Sequence, residues 1–362
     1  MDRSRILAIG CGGCGNSQLS TLMDLDIRYS GIFMNTNLSE MENLKHFDRT
    51  RRSFYIANAD GTGKDRNVAE RYIKEDAPKF VEMIQRYVNQ DYVLLMGSMN
   101  GGTGSKAIII LSKLIKKFCP NKSINIITTF PDINLSDIDY ENTIDTWNEL
   151  IKLKNSKNKI IDSIQFIDNN KSSNLQQINV KAMKELNDSL DIVGGNLDAS
   201  DSRKVHTSNG YKVILHLDPR TKDTKEAINQ AMKSSMFYTP ENFECNVMIG
   251  NINTNIFDLQ LIKSTFEAYD FTKFNHDATK SNIIVLGGCD LPTEGIELTK
   301  EALKELQRKK KQRTIEDDLI IKRKDNDNIE NDEIAAIKDS TNSRLSSKDL
   351  NNIFADDNFW DD

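Results

Sequence analysis

The first half of the chain alternates short, unbroken apolar runs with polar or glycine-rich turns. The runs that are typical of strands buried on both faces are residues 4–10, 31–35, 92–97, 123–130 and 163–170. Helical spacing of apolar residues predicts helices at 16–25, 67–88, 106–118 and 140–154. Pro78 is expected to bend or divide the second of them. This alternation predicts an α/β fold on a parallel, Rossmann-like sheet, which usually binds ligands at its carboxyl edge.

The second half opens with a long helix, which is predicted from about residue 178 to a stop at Gly194-Gly195. A smaller α/β domain follows, with strands at 211–218, 245–252 and 281–288 and helices near 223–236 and 256–267. After about residue 307 the apolar runs stop and charged residues dominate. The predicted organisation is an N-terminal domain at 1–177, a central helix at 178–195, a C-terminal domain at 196–298, a basic helix at 299–313 and a disordered acidic tail at 314–362.

Composition narrows the possible classes of protein. The 362 residues include 48 basic and 54 acidic side chains, and the net charge of −6 excludes a chain that coats nucleic acid along its whole surface. No run approaches about 18 apolar residues, so no membrane span is expected. The N-terminal sequence reaches glycine too early for a signal peptide. Five scattered cysteines argue against a disulfide framework and are typical of the cytoplasm.

A glycine-rich turn at 10–17 follows the first predicted strand. Glycines let backbone N–H groups approach an anion, and the next helix points its positive end at the same place. Gly10, Gly12 and Gly15 fit the dinucleotide-binding pattern, which makes an NAD-dependent oxidoreductase one candidate. The acidic residue expected after the second strand is replaced by Asn35. A tight turn without a ligand is the other alternative.

Two further interpretations of this turn are weaker. A Walker A loop fails because Asn16 occupies the place of the phosphate-binding lysine. Cys11 and Cys14 form a C-x-x-C pair, but no second pair lies nearby. We therefore interpret both cysteines as small residues that pack close to a ligand, and we predict no metal-ligating side chains.

A second glycine turn strengthens the case for an anion site. Residues 100–105, with the sequence NGGTGS, follow another buried strand and open another helix. Two such turns on one sheet edge can surround a polyphosphate from two sides. A purely structural role for both turns together is the less favoured alternative.

With these turns, the chain resembles the tubulin and FtsZ superfamily of GTPases. NGGTGS is similar to the GGGTG(S/T) tubulin signature, with Asn100 in place of its first glycine, and GGCGNS resembles the first phosphate loop. Residues 61–64 resemble the third phosphate loop, although Lys64 departs from the alanine common in FtsZ. Residues 196–203 are similar to the N-x-D-x-x-D-x-R synergy loop. The polar tail and the lack of long insertions resemble the TubZ branch of plasmid and phage proteins.

The resemblance implies that residues 1–177 bind GTP, with Mg²⁺ held mainly by the phosphates and water, and that residues 196–298 form the activation domain. The expected nucleotide contacts in the turns are Gly12, Gly13, Cys14, Gly15, Asn16, Asn35, Gly61, Thr62, Gly63, Lys64, Asn100, Gly101, Gly102, Thr103, Gly104 and Ser105. Asn169 is expected to read the guanine base, with Asn179 as a second contact or a helix cap. Asp137 or Glu141 should contact the ribose, and the sequence does not choose between them.

The candidate catalytic residues follow the long helix. Asp198 and Asp201, with Asn196 in the same motif, could polarise water or hold a hydrated cation. A helix of about 16 residues spans about 24 Å, so this loop should lie far from the chain's own nucleotide. The resemblance implies that the loop enters the next subunit's site, so that hydrolysis needs a head-to-tail filament. The alternative is that the two aspartates cap the following turn.

The tail suggests a partner. A basic block at 308–313 ends the predicted helix, and the acidic end carries the pairs Ile353-Phe354 and Phe359-Trp360. Such a segment resembles a docking peptide, and the TubZ resemblance implies a TubR-like, DNA-binding adaptor on a centromere. Little direct nucleic-acid binding and no membrane are expected. The implied function is a polymerising GTPase that segregates plasmid or phage DNA in the bacterial cytoplasm. The alternatives are the oxidoreductase, a non-hydrolysing scaffold and a cell-division GTPase.

Overall fold

The apolar runs become the strands of one mixed sheet. The computed structural model describes residues 1–57 and 59–317, with the side chains through residue 312. The strands are β1 (Ile6–Cys11), β2 (Ser30–Asn35), β3 (Ser53–Tyr55), β4 (Tyr92–Ser98), β5 (Ser123–Phe130), β6 (Ser163–Asp168), β7 (Gly210–His216), β8 (Cys245–Asn251), β9 (Ala268–Asn275) and β10 (Ile283–Cys289). Their order across the sheet is β3-β2-β1-β4-β5-β6-β7-β10-β8-β9.

Strand direction divides the sheet into two parts. All neighbours from β3 to β7 are parallel, so the carboxyl ends of β1, β2, β4, β5 and β6 share one edge. Strand β10 is antiparallel to both β7 and β8, and β9 is parallel to β8. Strands β6 and β7 pair at Ser163–Gly210 and Ile164–Tyr211, so the two predicted domains share a continuous sheet.

Eleven α-helices lie in the part of the chain that the structure describes. They are α1 (Gly12–Leu25), α2 (Leu38–Glu42), α3 (Arg66–Glu75), α4 (Ala77–Ile84), α5 (Thr103–Phe118), α6 (Asp137–Lys154), α7 (Leu175–Ser189), α8 (Ala199–His206), α9 (Thr224–Ser234), α10 (Leu259–Thr265) and α11 (Glu294–Asp317). Met1–Ala302 forms one compact unit, and the described residues from 303 to 317 belong to a second unit. No helix within 1–57 or 59–317 is long and apolar enough to cross a membrane.

The central strands are buried because helices cover the sheet. Every residue of β1 and β5 is buried, which explains their continuous apolar runs. Helix α1 packs against β1, β4 and α7, whereas α5 packs against β4, α3 and α6. Helix α7 presents Ile178, Ala182 and Leu186 to the core, at the spacing of one helical face. Burying one such leucine or isoleucine side chain contributes about 1.5–3 kcal/mol.

Most predicted elements are confirmed within a few residues. The predicted helix 67–88 is divided into α3 and α4 just before Pro78, and the predicted helix 178–193 is α7 followed by a short 3₁₀ turn at Leu190–Ile192. Helix α11 includes all of the predicted basic helix and continues to Asp317, past the predicted start of the acidic tail at 314. The rest of that tail lies outside the described residues. Four elements were not predicted: α2, β3, α8 and β9.

One buried lysine destabilises this core, because burying a charge is unfavourable. Lys212 of β7 is 1% exposed, and its ammonium lies 3.4 Å from Nδ1 of His206. Burial lowers the pKa of Lys212 to about 7, and burial together with the Lys212 charge lowers the pKa of His206. The unfolded chain keeps an ordinary lysine, so it binds this proton more tightly than the folded chain does. Stability should therefore rise with pH between about 7 and the unfolded pKa near 10.5.

We predict that Lys212→Met increases the free energy of unfolding at pH 7 by roughly 1–3 kcal/mol, because it removes the cost of burying a charge. The gain should shrink as the pH approaches 10, where the native lysine is neutral in the folded state. Urea unfolding between pH 6 and 10 would measure the difference. Lys79→Met, at an exposed side chain, is the control and should show no such trend. A variant that is less stable at every pH would contradict the prediction.

Candidate nucleotide-binding site

A cavity of about 310 Å³ opens at the carboxyl edge of the parallel strands. The segments around it are the two glycine turns, the end of β2 and the loop before α3. The residues that line it are Cys11, Gly12, Gly13, Asn35, Thr36, Asn37, Glu40, Gly61, Thr62, Gly63, Lys64, Ser98, Gly101, Gly102, Thr103 and Gly104. Most of the predicted phosphate contacts in the turns therefore surround one space, although they come from four separate parts of the sequence.

The two glycine turns touch each other through their backbones. A Cβ atom on Gly104 would lie 2.7 Å from the carbonyl oxygen of Cys11, which no side chain tolerates. A Cβ atom on Gly15 would overlap the carbonyl oxygen of Met96 in β4. Helices α1 and α5 consequently begin beside the same cavity, at Gly12 and Thr103. Their unpaired N–H groups and positive dipole ends favour a bound anion there.

The loop at 60–64 closes another side of the cavity. Asp60, Gly61, Gly63 and Lys64 all have positive φ angles, which leaves the loop tightly curled. Thr62 Oγ1 lies 3.4 Å from Thr103 Oγ1, which in turn lies 2.8 Å from Thr36 Oγ1. One hydroxyl at the start of α5 thus joins the loop to the end of β2.

Two charged side chains line the cavity among the residues described around it. Lys64 supplies a cation, and its ammonium binds the carboxylate of Asp139 on α6. Glu40 supplies a carboxylate next to the first turn and accepts a hydrogen bond from Asn35 Nδ2 at 2.8 Å. One carboxylate beside several hydroxyls matches the way Mg²⁺ is usually held, with phosphates and water as the remaining ligands.

Five predicted contacts in the turns are not part of the cavity lining. One of them, Asn100, instead donates through Nδ2 to Asp139 at 2.9 Å. The side chain of Asn16 is 1% exposed and bonds both the N–H and the carbonyl of Met34, which fixes α1 against β2. Ser105 is buried and donates to the carbonyl of Gly101 within the second turn. Gly15 packs on β4, and Cys14 is half-buried, with its Sγ 4.0 Å from Oγ1 of Thr129.

The cysteine pair in the first turn is not a reactive site. Cys11 and Cys14 are free thiols, and burial raises the pKa of both, that of Cys14 to about 11. A thiolate is therefore disfavoured at either position. No group of three or more metal-binding side chains occurs in the described ranges 1–57 and 59–317.

The predicted base contacts lie beyond this cavity. Asn169 is half-buried in a 3₁₀ turn directly after β6. Asn179 lies within α7 rather than at its cap, and its Oδ1 accepts a hydrogen bond from Gln18 of α1 at 3.3 Å. The helix cap is Asn174, whose side chain accepts from the N–H of Gln177. The capping alternative for Asn179 is therefore wrong.

The two candidate ribose contacts flank a more deeply buried carboxylate. Asp137 begins α6, and Glu141 lines a separate cavity of about 590 Å³ that also includes Lys64. Asp139 lies between them and is 1% exposed. Sequence spacing alone could not single it out, because Asp137, Asp139 and Glu141 lie within five residues of one another at the start of α6.

The synergy-like loop lies at the opposite edge of the sheet. Arg203 of α8 forms an ion pair with Asp91 at 2.6 Å, directly before the start of β4. The second glycine turn follows the other end of β4, which has seven residues and is therefore about 20 Å long. Asn196, Asp198 and Asp201 are thus remote from this chain's own glycine cavity, as the sequence predicted.

The two aspartates of this loop also stabilise α8. Asp198 caps the helix by accepting from the N–H groups of Ser200 and Asp201, and Asp201 accepts in return from the N–H of Asp198. Asp201 is buried and paired with Lys273 at 2.6 Å, whereas Asp198 is exposed. The capping alternative is therefore confirmed as a structural role, and it leaves the carboxylate of Asp198 at the surface.

Sequence reasoning missed the residue that holds this loop. Asn275, at the end of β9, accepts from the N–H groups of Asn196 and Leu197 at 2.7 and 3.1 Å. It also donates to the carbonyls of Ile192 and Gly194. Nothing local in the sequence marks Asn275, because its partners lie about 80 residues earlier.

A larger cleft of about 630 Å³ lies beside the end of α7. Its lining includes Arg3, Asp188, Asp191 and Lys280, and Arg3 is paired with Asp191. It contains neither glycine turn and no start of a long helix. Size alone therefore does not identify the nucleotide site, and the smaller glycine cavity remains the better candidate.

Comparison with known proteins also supports a nucleotide-binding site in this part of the chain. The profile of the Tubulin/FtsZ family GTPase domain matches residues 5–177. A tubulin-like protein TubZ from Clostridium botulinum C phage is 25% identical over 324 residues, which cover 88% of each chain. A solved structure of the C-terminally truncated TubZ of Clostridium botulinum phage c-st is 26% identical, with a TM-score of 0.77, and covers 85% of this chain and 100% of that one.

A more distant structure shares the fold alone. It is a GTPγS-form protofilament of TubZ from Bacillus thuringiensis serovar israelensis, 16% identical with a TM-score of 0.70, covering 86% of this chain and 94% of that one. The predicted resemblance to tubulin-like proteins, and the mostly parallel α/β fold, are confirmed. These matches favour the tubulin-like interpretation over the dinucleotide-binding one.

We predict that Gly102→Ala reduces GTP affinity at least tenfold. A Cβ atom on Gly102 would overlap Thr62 Oγ1 and lie 3.0 Å from the carbonyl carbon of Lys64, so the 60–64 loop must move away from the second turn. Gly101→Ala is the matched control, because its new Cβ atom would meet only Ser98 Oγ, at 3.3 Å. Titration calorimetry with GTP and Mg²⁺ would measure both variants. Equal affinities for wild type and Gly102→Ala would refute the role of this close contact.

Proposed function

On the premise that residues 5–177 form a GTPase domain of the Tubulin/FtsZ family, we propose that this protein hydrolyses GTP and polymerises head to tail. The observation that carries the proposal is the glycine cavity between the starts of α1 and α5. Two helix N-termini and one lysine favour a polyphosphate there. Pelleting and phosphate release with GTP, and neither with NAD, would test it against the oxidoreductase and scaffold alternatives.

Magnesium fits this proposal. Glu40 would hold the ion with help from the threonine hydroxyls, and the phosphates would supply most of its ligands. When bound, the ion neutralises charge on the phosphate groups. The backbone N–H groups of the glycine turns orient the phosphate chain, and Asn169 and Asn179 are proposed to face the base. Asp137 and Glu141 remain the two proposed ribose contacts.

We propose that hydrolysis is completed between subunits. The exposed carboxylate of Asp198 lies at one edge of the sheet, and the glycine cavity opens at the other. Stacking one subunit on the next brings these two surfaces together, and a contact of this kind repeats without closing. Asp198, helped by Asp201 and Asn196, would then orient water at the neighbour's terminal phosphate.

The structure also suggests how to separate catalysis from capping. Asparagine caps helices about as well as aspartate, so Asp198→Asn should retain α8 while removing the charge. We predict that this variant loses at least 90% of GTP turnover, keeps its GTP affinity within about threefold and forms longer-lived filaments. Phosphate release, calorimetry and light scattering would measure the three quantities.

Ser200→Ala is the control for Asp198→Asn. Ser200 Oγ donates to the same carboxylate at 2.7 Å, so its loss disturbs the cap and leaves the charge in place. Its turnover should stay near that of wild type. If Asp198→Asn turned over GTP at the wild-type rate, hydrolysis across the interface would have to be abandoned. Asp201 is a less clean target, since its replacement also breaks the buried pair with Lys273.

We further propose that the filament segregates plasmid or phage DNA in a bacterial cytoplasm. The similarity to a phage TubZ supports this role. The acidic, aromatic end at 350–362 is proposed to bind a TubR-like adaptor on centromeric DNA, because DNA itself would repel it. That segment lies outside the described residues, so the proposal rests on its sequence.

Deletion of residues 350–362 should leave GTPase activity and filaments near wild-type levels but reduce recruitment of adaptor-bound DNA at least fivefold, because the docking aromatics are lost. Co-sedimentation of adaptor, DNA and filaments would measure recruitment. A full-length variant with Phe354 and Trp360 changed to alanine is the matched control for chain length and should behave like the deletion. Recruitment that is equal to wild type in both would exclude the docking peptide.

A further inference from the structure

The third loop departs from the tubulin-like signatures at Lys64 and Asp65, and the second glycine turn departs at Asn100. Two of these departures, Lys64 and Asn100, contact the same side chain. Lys64 replaces the usual alanine of the third loop, and its Nζ lies 2.6 and 2.8 Å from the two carboxylate oxygens of Asp139. Asn100 replaces the first glycine of the second turn, and its Nδ2 donates to Asp139 at 2.9 Å. The two unusual residues therefore form one unit around a buried carboxylate.

Asp139 does not depend on Lys64 for its hydrogen bonds. Besides Asn100, both the backbone N–H and the hydroxyl of Ser136 donate to it. Burial would raise the pKa of this carboxyl, but bonds from Lys64, Ser136 and Asn100 together hold it below the usual value. If Lys64 moved away, three donors would remain, so the buried charge would still be satisfied.

Lys64 has a fixed backbone and a side chain with room to move. Its φ of 68° is rare for a residue other than glycine, and Asn142 Nδ2 holds its carbonyl at 2.9 Å. Its side chain is 47% exposed and lines the glycine cavity. A lysine ammonium on four flexible carbons can exchange one anion for another without moving the loop.

The two possible anions differ in strength. Asp139 offers a single negative charge shared among four donors. A nucleoside triphosphate places an additional phosphate group, with more negative charge, in the cavity than a diphosphate does. The attraction of the Lys64 ammonium to the nucleotide, relative to Asp139, is therefore stronger when the third phosphate is present. Asp139 then acts as an internal competitor that retains the cation when only two phosphates are bound.

Building on the proposed GTP binding, we propose that Lys64 is the specificity-determining residue that distinguishes the triphosphate from the diphosphate. Its ammonium pairs with Asp139 in the diphosphate state and with the terminal phosphate in the triphosphate state. The Lys64 side chain therefore adopts a different conformer with each nucleotide, so that the nucleotide shifts the equilibrium between the two conformers. Asp139 and Asn100 are positioning residues in this scheme.

A double-mutant cycle tests the proposal. Titration calorimetry with Mg²⁺ on the full chain would give Kd values for GDP and for the slowly hydrolysed analogue GTPγS. Lys64→Met should lower the ratio of Kd for GDP to Kd for GTPγS about tenfold, chiefly by weakening the triphosphate. Asp139→Asn should leave the ratio unchanged or raise it, because the competitor is gone. The double variant should keep the low ratio of Lys64→Met.

The cycle also separates binding from a structural role. If Lys64 only neutralised Asp139, the double variant would restore the wild-type ratio, and the proposal would be wrong. An unchanged ratio in Lys64→Met, or a lowered ratio in Asp139→Asn, would also overturn it. Lys79→Met, at an exposed surface pair, should change neither Kd. Thermal unfolding shows whether each variant is folded. If Asp139→Asn does not fold, the comparison of Lys64→Met with Lys79→Met tests the proposal by itself.

A wild-type protein that binds neither nucleotide would refute the proposed function itself. If only the role of Lys64 is wrong, the wild type binds both nucleotides, and Lys64→Met leaves the ratio of the Kd for GDP to the Kd for GTPγS unchanged.

Discussion

The contact between the two glycine turns is the constraint on which the rest of the site depends. A side chain at Gly104 would collide with the carbonyl of Cys11, and one at Gly97 would come within 3.2 Å of the same oxygen. Any larger residue would push α1 and α5 apart. Their free N–H groups would then face different spaces, and Thr103 could no longer join the 60–64 loop to β2. The candidate anion site is thus shaped by backbone packing rather than by any charged side chain.

The parts of the fold that sequence could predict are those with a strong local signal. Strands β1, β4 and β5 are continuous apolar runs because both of their faces are buried, and their ends are marked by glycine or polar turns. Strand β9 was missed because much of it is exposed, so it has no apolar run. Helix α8 was missed although Asp198 and Asp201 have the spacing of a capping box. That spacing was interpreted as chemistry, or as a cap on a turn, and not as the start of a helix.

The same limit applies to the candidate site. The glycine turns could be predicted because only glycine allows two backbone segments to approach each other so closely. Asn275 could not be found because its partners lie about 80 residues earlier. Asp139 and Glu40 could not be found because nearby acids, such as Glu141 and Glu42, are equally good candidates by spacing. Asp139 also connects two of the departures from the signature, because Lys64 and Asn100 both contact it. The role of Lys64 or Asn100 can be inferred only once their shared contact with Asp139 is known.

Strand β4 has a mechanical consequence. Its amino end is anchored through Asp91 to Arg5 and to Arg203 of α8, and its carboxyl end leads into the second glycine turn. An extended strand with seven residues can hardly lengthen. In the proposed filament of stacked subunits, it would serve as a strut between the surface proposed to contact one neighbour and the cavity proposed to contact the other. Tension on the polymer would then load the phosphate turn directly, and the lifetime of the bound nucleotide would depend on force.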